Sequence, residues 1–259
     1  MAKRSALRLV STSGQSLAEL SVGAAWPAQD MAASSLPATL IEQTYGRLRD
    51  DIVEGRLEPN EKLRVEHLRE RYGVGAGTLR EAITWLVSDA LVVAEGQRGF
   101  RVAPIALADL LDLTELRVHI ELESLRQSIR KGDPAWRASL RSAFDELAAV
   151  ELPLTVTNRV RWEALNIRFH DTLIAAHASP WTSKLLRMLS RHGERYRRYA
   201  IQLPNSVRDV HAEHTAIYEA AMAGQEARAA LALELHIRAT PDVLVQAERE
   251  GVAWRTLRV

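Results

Sequence analysis

The 259-residue sequence contains no cysteine. That excludes disulfides and thiolate metal sites, and leaves His, Asp, Glu, Asn or water to bind any metal. No apolar run approaches the roughly 20 residues needed to span a bilayer, and no continuous apolar core follows Lys3, Arg4 and Arg8. A secretory signal is therefore not read, and a cytoplasmic protein without a membrane partner is expected. Net charge is also scarce, since 34 basic against 33 acidic side chains leave +1. Any nucleic-acid binding must come from local charge placement rather than from the whole chain. Internal repeats at solenoid periods are absent. So are an H-E-x-x-H pair and a nucleophile elbow, which argues against an enzyme.

What remains is a chain with 47% apolar residues, enough for a sizeable core. Residues 1–36, rich in Ser, Ala and Gly without a sustained period, are expected to be a disordered tail. Ile41, Tyr45, Leu48 and Ile52 then step along one helical face until Gly55. From Arg64 to Val102 the pattern reads as a winged helix-turn-helix. Leu68 and Tyr72 share one face, Gly73-Val74-Gly75 turns the corner, and Leu79, Ile83 and Leu86 mark a second buried face. Two short strands joined at Gly96-Gln97-Arg98-Gly99 form a two-stranded wing. This predicts a DNA-binding domain over 37–104.

Beyond Ala103-Pro104-Ile105 the periodicity is helical, with helices predicted at 106–131, 135–150, 158–178, 181–201, 206–223 and 225–247. The fold class is mainly α: the winged helix-turn-helix followed by an antiparallel all-helical bundle over 105–248 and a tail at 249–259. Pro241 is expected to kink or divide the last helix, because it lacks an amide hydrogen.

Several side chains are candidates for contact with double-stranded DNA. Thr78 and Arg80 lie off the apolar stripe of the second helix, with Arg80 suited to a bidentate contact with guanine or a phosphate. Gln97, Arg98 and Gly99 form the wing turn. Arg64, Arg69 and Arg71 accompany the preceding helix, where phosphate contacts would fix register.

Residues 41–102 closely resemble the DNA-binding domain of the GntR superfamily of bacterial regulators. The match is carried by Gly55-Arg56-Leu57-Glu58-Pro59, Leu63, Leu68, Tyr72-Gly73-Val74, Leu79-Arg80-Glu81-Ala82, Leu86, Leu91-Val92 and Arg98-Gly99-Phe100-Arg101-Val102. Asn60 stands where the family usually has Gly, and Gly75-Ala76 where it has Ser-Arg, so one expected DNA contact is missing. The resemblance implies a homodimer on a pseudo-palindromic operator.

Three histidines invite a metal argument. Asn166 and His170 share a helical face at i and i+4, and His214 and His236 follow on later helices. Imidazole nitrogens with an amide oxygen suit zinc, nickel or manganese. On spacing alone, histidines on separate helices are more often ordinary packed or surface residues. Residues 107–240, however, resemble the FCD ligand-binding domain of the FadR-like branch. That resemblance implies a divalent metal held by Asn166, His170, His214 and His236.

The same resemblance places Arg117 in an E-x-R-x-x-x-E pattern between Glu115 and Glu121. An internal salt bridge and an effector contact are equally open for it. The charged run Glu194–Tyr199 reads as a solvated face, with Tyr196 able to face inward as a second effector contact. His211 is a neighbour of the metal set. Trp136, Trp162 and Trp181 are expected to staple helices together, and Trp85 to pack.

The expected function is a ligand-responsive regulator, a repressor, whose operator affinity is set by a small carboxylate effector near the metal. A metal-dependent hydrolase is one alternative, weakened by the lack of a placed general base. A dimeric DNA-binding protein with a vestigial pocket is another.

Overall fold

The computed structural model describes residues 38–151, 157–201, 203 and 208–253. The expected tail at 1–36 and most of that at 249–259 lie outside them. Helix α1 (Leu40–Val53) starts from a capping box, in which the Thr39 hydroxyl accepts from the Glu42 amide at 3.2 Å and the Glu42 carboxylate from the Thr39 amide at 2.6 Å. It stops at Gly55, whose φ of +74° only glycine adopts cheaply. β1 (Lys62–Leu63), α2 (Val65–Tyr72), α3 (Ala76–Ser88), β2 (Val92–Ala94) and β3 (Phe100–Val102) follow.

Sequence reading placed two strands in the wing, and the structure corrects this to three. β3 is central and antiparallel to both neighbours, with Lys62 opposite Arg101 and Val92 opposite Val102. A two-residue strand is too short to show alternation, so β1 left no signal. The head closes on Leu48, Ile52, Leu68, Leu79, Ile83 and Leu86, all buried, each contributing roughly 1.5–3 kcal/mol by burial.

The bundle comprises α4 (Leu107–Lys131), α5 (Pro134–Glu151), α6 (Arg159–Leu173), α7 (Pro180–Ile201), α8 (Val210–Met222) and α9 (Glu226–Arg249). α6 ends five residues before the predicted stop at 178, where a single tight turn, Ala175–His177, replaces its last part. Pro241 does not divide α9, which runs through it. Leu233 and Ile237 before the proline are buried in the bundle core, and Leu244 and Ala247 after it are buried with Leu110 and Tyr196, so burial holds the helix across one missing hydrogen bond. Leu125, Leu140, Phe169, Ile217 and Leu233 form the centre. Trp136 and Trp162 staple helices as expected, but Trp181 stands 72% exposed.

α7 ties the head to the bundle. Arg191 donates to Asp89 and to the Tyr45 hydroxyl, both at 2.9 Å, and His192 Nε2 meets the Asp89 carbonyl at 2.9 Å. Arg195 donates to the carbonyl of Ala103, and Arg198 to those of Val53 and Glu54 at the end of α1. The Arg198 guanidinium lies against Gly55, where a Cβ would stand 3.5 Å from it. Trp85, 39% exposed, meets Tyr45 edge-on at this junction.

Arg198→Ala is expected to loosen the head without unfolding the bundle. It removes two charge-assisted bonds worth about 1.5–3 kcal/mol each, but also releases a buried cation. Hydrogen exchange should accelerate in α1 and stay unchanged in α4; equal acceleration in both would show that Arg198 does not hold the junction.

Candidate metal centre and nucleic-acid interface

Four side chains from three helices converge in the bundle. Asn166 and His170 stand one turn apart on α6, His214 comes from α8 and His236 from α9. The ring centroids of the histidines lie 4.6–5.6 Å apart, and one ligand atom from each falls within 4.8 Å of the others. Asn166 Oδ1, His170 Nδ1 and His214 Nε2 are buried with no hydrogen-bond partner among the described residues. An orphaned buried polar atom costs about 1–3 kcal/mol. Of six such side-chain atoms among the described residues, three belong to this cluster. A folded core does not gather orphans in one place unless something collects them, so the residues fit a divalent ion.

The surroundings prepare the histidines to coordinate. His214 Nδ1 meets Glu151 Oε1 at 2.6 Å, and His236 Nδ1 meets Glu213 Oε2 at 2.8 Å. Each carboxylate therefore fixes a tautomer and leaves the Nε2 lone pair for a metal. Glu151 also accepts from Trp162 Nε1 at 3.1 Å and meets His211 Nδ1 at 3.0 Å. Burial pushes this carboxyl up, but the hydrogen bond and charge of His214, with the bonds from Trp162 and His211, hold it below its ordinary value. Burial, then repulsion from the neighbouring histidines and arginines, pushes His170 and His236 well below the usual imidazole value. Both are neutral near pH 7, as ligands must be.

A cavity of about 270 Å³ opens beside this cluster, with Asn166, His170 and His236 in its wall together with Arg117, Arg197 and Arg208. Each arginine is anchored by an acid. Arg117 Nε bonds Glu121 at 2.7 Å, Arg197 pairs with Glu163, and Arg208 holds Glu213 at 2.7 Å while reaching Thr240 and the His236 carbonyl. Arg117 makes its internal salt bridge and lines the cavity at once, so the two readings of it are compatible. Gly193 on α7 makes room for this: a Cβ there would stand 3.2 Å from Arg117 and 3.3 Å from Arg197. Apart from Ser190 and Thr240 the remaining wall is apolar, with Trp162, Ile237 and Val243.

Tyr196 is not in that wall, which corrects its expected place. Its hydroxyl instead donates to Asp109 at 2.7 Å and bonds the backbone of Ala106, within a separate cluster containing Leu110 and Leu244. The neighbouring Arg197 takes the position facing the cavity. The solvated reading of Glu194–Tyr199 is corrected too, since Arg195, Tyr196, Arg198 and Tyr199 are buried. Glu151, Glu163, Arg197 and Arg208 were missed as site residues. Only Glu213, adjacent to His214 in sequence, carried a visible hint.

On the head, Arg80 is exposed on α3 and makes no side-chain hydrogen bond among the described residues, as do Arg64 at the start of α2 and Arg98 in the wing. Thr78 is half-buried and Gly99 turns the wing at φ +94°. The side chain of Gln97 lies outside the described residues. Arg69 pairs with Glu66 at 3.1 Å, and Arg71 turns back to Asp51 at 2.8 Å. Arg71 is thereby committed to bracing α1, which its sequence position beside the turn did not reveal. No acid occupies the first turn of α3 and no side chain caps it, so its amide groups are available to a phosphate.

Residues 40–102 match the model described as bacterial regulatory proteins, gntR family, and residues 112–239 match the FCD domain. The HTH-type transcriptional regulator BphR of Paraburkholderia xenovorans (strain LB400) is 40% identical over 213 residues, covering 80% of this chain and 86% of BphR. The chain belongs to the GntR family of bacterial regulatory proteins. Another relative of this GntR-family regulator is the HTH-type transcriptional repressor GlaR of Escherichia coli (strain K12), 29% identical over 212 residues, 80% of this chain and 96% of GlaR. In fold it matches E. coli McbR/YncC with a TM-score of 0.67 at 19% identity, over 82% of this chain and 100% of that one. The family and these relatives make it a transcription regulator rather than an enzyme. Among its described residues no helix is long and apolar enough to cross a membrane.

Proposed function

We propose that this GntR-family regulator is a repressor that binds a pseudo-palindromic operator as a homodimer and releases or tightens it when a small carboxylate enters the bundle cavity. The observation that carries the reading is the meeting of three orphaned ligand atoms with an arginine-lined cavity. Asn166, His170, His214 and His236 would hold zinc, nickel or manganese. None of the four is a carboxylate, so a bound divalent ion would keep positive charge toward the cavity that attracts an anion.

The chain's own side chains do the rest. Arg117, Arg197 and Arg208 orient a carboxylate through their planar forks, each kept in place by its acid. Trp162, Ile237 and Val243 exclude water around its body. Arg197 and Ser190 on α7 face the cavity, while Arg191, Arg195 and Arg198 of the same helix hold the head. An occupant that favours one seating of α7 therefore favours one placement of the head.

Footprinting on the upstream region of its own gene tests the operator, with and without metal and a panel of mono- and dicarboxylates. Protection symmetric about a centre, altered by one acid class, is the expected result. Failure of every carboxylate to change operator affinity would sink the effector reading and leave a dimeric DNA-binding protein with a vestigial pocket. In Arg117→Gln, the effector concentration giving half-maximal change should rise about tenfold or more, from loss of a charged hydrogen bond. An unchanged response would remove Arg117 from the site.

A further inference from the structure

A second cavity, of about 360 Å³, lies between α1 of the head and α6 and α7 of the bundle. It is distinct from the metal cavity, although Ile167, Ser190 and Ile201 contribute to both walls. Most charges around it are matched. Arg49 pairs with Asp50 at 2.7 Å and Arg191 with Asp89 at 2.9 Å; Glu54 is taken by Arg56 and Glu163 by Arg197, while Arg187 acts on Asp171 through its charge without an ion pair among the described residues.

Two cations are left over. Arg159, at the start of α6, makes no side-chain hydrogen bond among the described residues. Arg198 is 5% exposed and, among the described residues, has only the Val53 and Glu54 carbonyls as acceptors and keeps its Nε buried without a partner. Two acids in the wall, Asp171 and Glu194, make no hydrogen bond or ion pair among the described residues, and of these Asp171 has Arg187 as its electrostatic neighbour. Burial and the nearby Glu163 push Glu194 up to about 7, so near neutral pH it offsets little of this charge. Burial and repulsion from Arg159 push Arg198 down to about 10, as befits a guanidinium short of counter-charge.

We propose that this junction cavity binds a small oxyanion, a phosphate or carboxylate group, held by Arg159 and Arg198. A cation would meet Asp50, Glu54 and Glu163 already paired, and Arg159 and Arg198 without an acid partner. An oxyanion supplies the missing counter-charge and acceptors for two guanidinium groups, and the protonated form of Glu194 adds a donor. Because the wall is drawn from α1 as well as α6 and α7, the occupant adds contacts across the junction and favours the docked head. This site does not depend on the metal or on its effector.

The test is calorimetric titration of the full-length protein with inorganic phosphate and, separately, with acetate, at ionic strength held constant with chloride. Saturable binding is expected in the wild type. It should weaken about tenfold or more in Arg159→Gln, through loss of a charged hydrogen bond. It should persist in Arg208→Gln, whose side chain lines the metal cavity alone. Tighter binding of phosphate assigns a phosphate group as the occupant and tighter binding of acetate a carboxylate. The proposal is overturned if neither anion binds saturably, if Arg159→Gln binds like the wild type, or if Arg208→Gln loses binding. Arg159 is partly exposed and makes no side-chain hydrogen bond among the described residues, so its substitution should leave the melting transition unchanged. Should that variant nevertheless unfold, Arg159→Lys, which keeps the charge, must bind more tightly than Arg198→Gln.

Discussion

His214→Ala should lower divalent-metal affinity by more than about 100-fold, beyond the 10–100-fold typical of losing an outer-shell partner. His214 is fully buried, its Nε2 has no partner, and Glu151 fixes its tautomer. Removing the ring takes away a ligand and leaves a buried carboxylate with one fewer partner. Competition against a chromophoric chelator measures the affinity directly. Thermal unfolding gives a second readout, since metal at about 100 times its dissociation constant should stabilise the wild type by about 2.7 kcal/mol. The variant at the same concentration should gain almost nothing. Glu151→Gln should fall between them, with a loss of about 10–100-fold. Wild-type affinity in His214→Ala would remove the metal from this site, whatever became of the DNA-binding head.

The second large effect is expected on DNA. Arg80 projects from α3 without a side-chain hydrogen bond among the described residues, and a good bidentate base contact contributes about 1–3 kcal/mol. If a homodimer presents two such heads, Arg80→Ala should cost about 2–6 kcal/mol at a full operator, provided the half-sites act independently. Gel shifts at fixed salt would then show specific binding collapsing to the level of unrelated DNA, with the melting temperature unaffected. A uniform weakening on all sequences with a shallower salt dependence would instead mark Arg80 as a phosphate contact. Arg71→Ala should behave in the opposite way, because its guanidinium is occupied by Asp51: the head loses stability while sequence preference stays.

The legible parts of this molecule were those written in local spacing. Leu79, Ile83 and Leu86 announced α3, and all three are buried. Asn166 and His170, one turn apart, announced a shared face. Their meeting with His214 and His236 came from family resemblance, since nothing local connects helices so far apart in the chain. Glu151 shows the limit most clearly: it stands 63 residues from His214, at the end of a different helix, and nothing around it in sequence marks it as a partner.

The misreading of α7 has a different cause. Adjacent helical positions point about 100° apart, so the consecutive charges of Glu194–Tyr199 look like a wet surface only if one side of the helix is covered. This helix is covered on several sides, by the bundle and by the head. Tyr196 and Arg197 therefore exchanged their expected places: the aromatic ring packs near α4 and α9, and the charge reaches the cavity.

That double coverage makes α7 a shared wall, and a shared wall has no preferred direction. Whatever free energy an occupant of the cavity sends along it to the head, a bound operator returns in equal measure to the cavity. If the proposed effector acts in this way, DNA is, seen from the bundle, a second effector, and the protein on its operator and the protein free in solution would be two receptors with different affinities for the same small molecule.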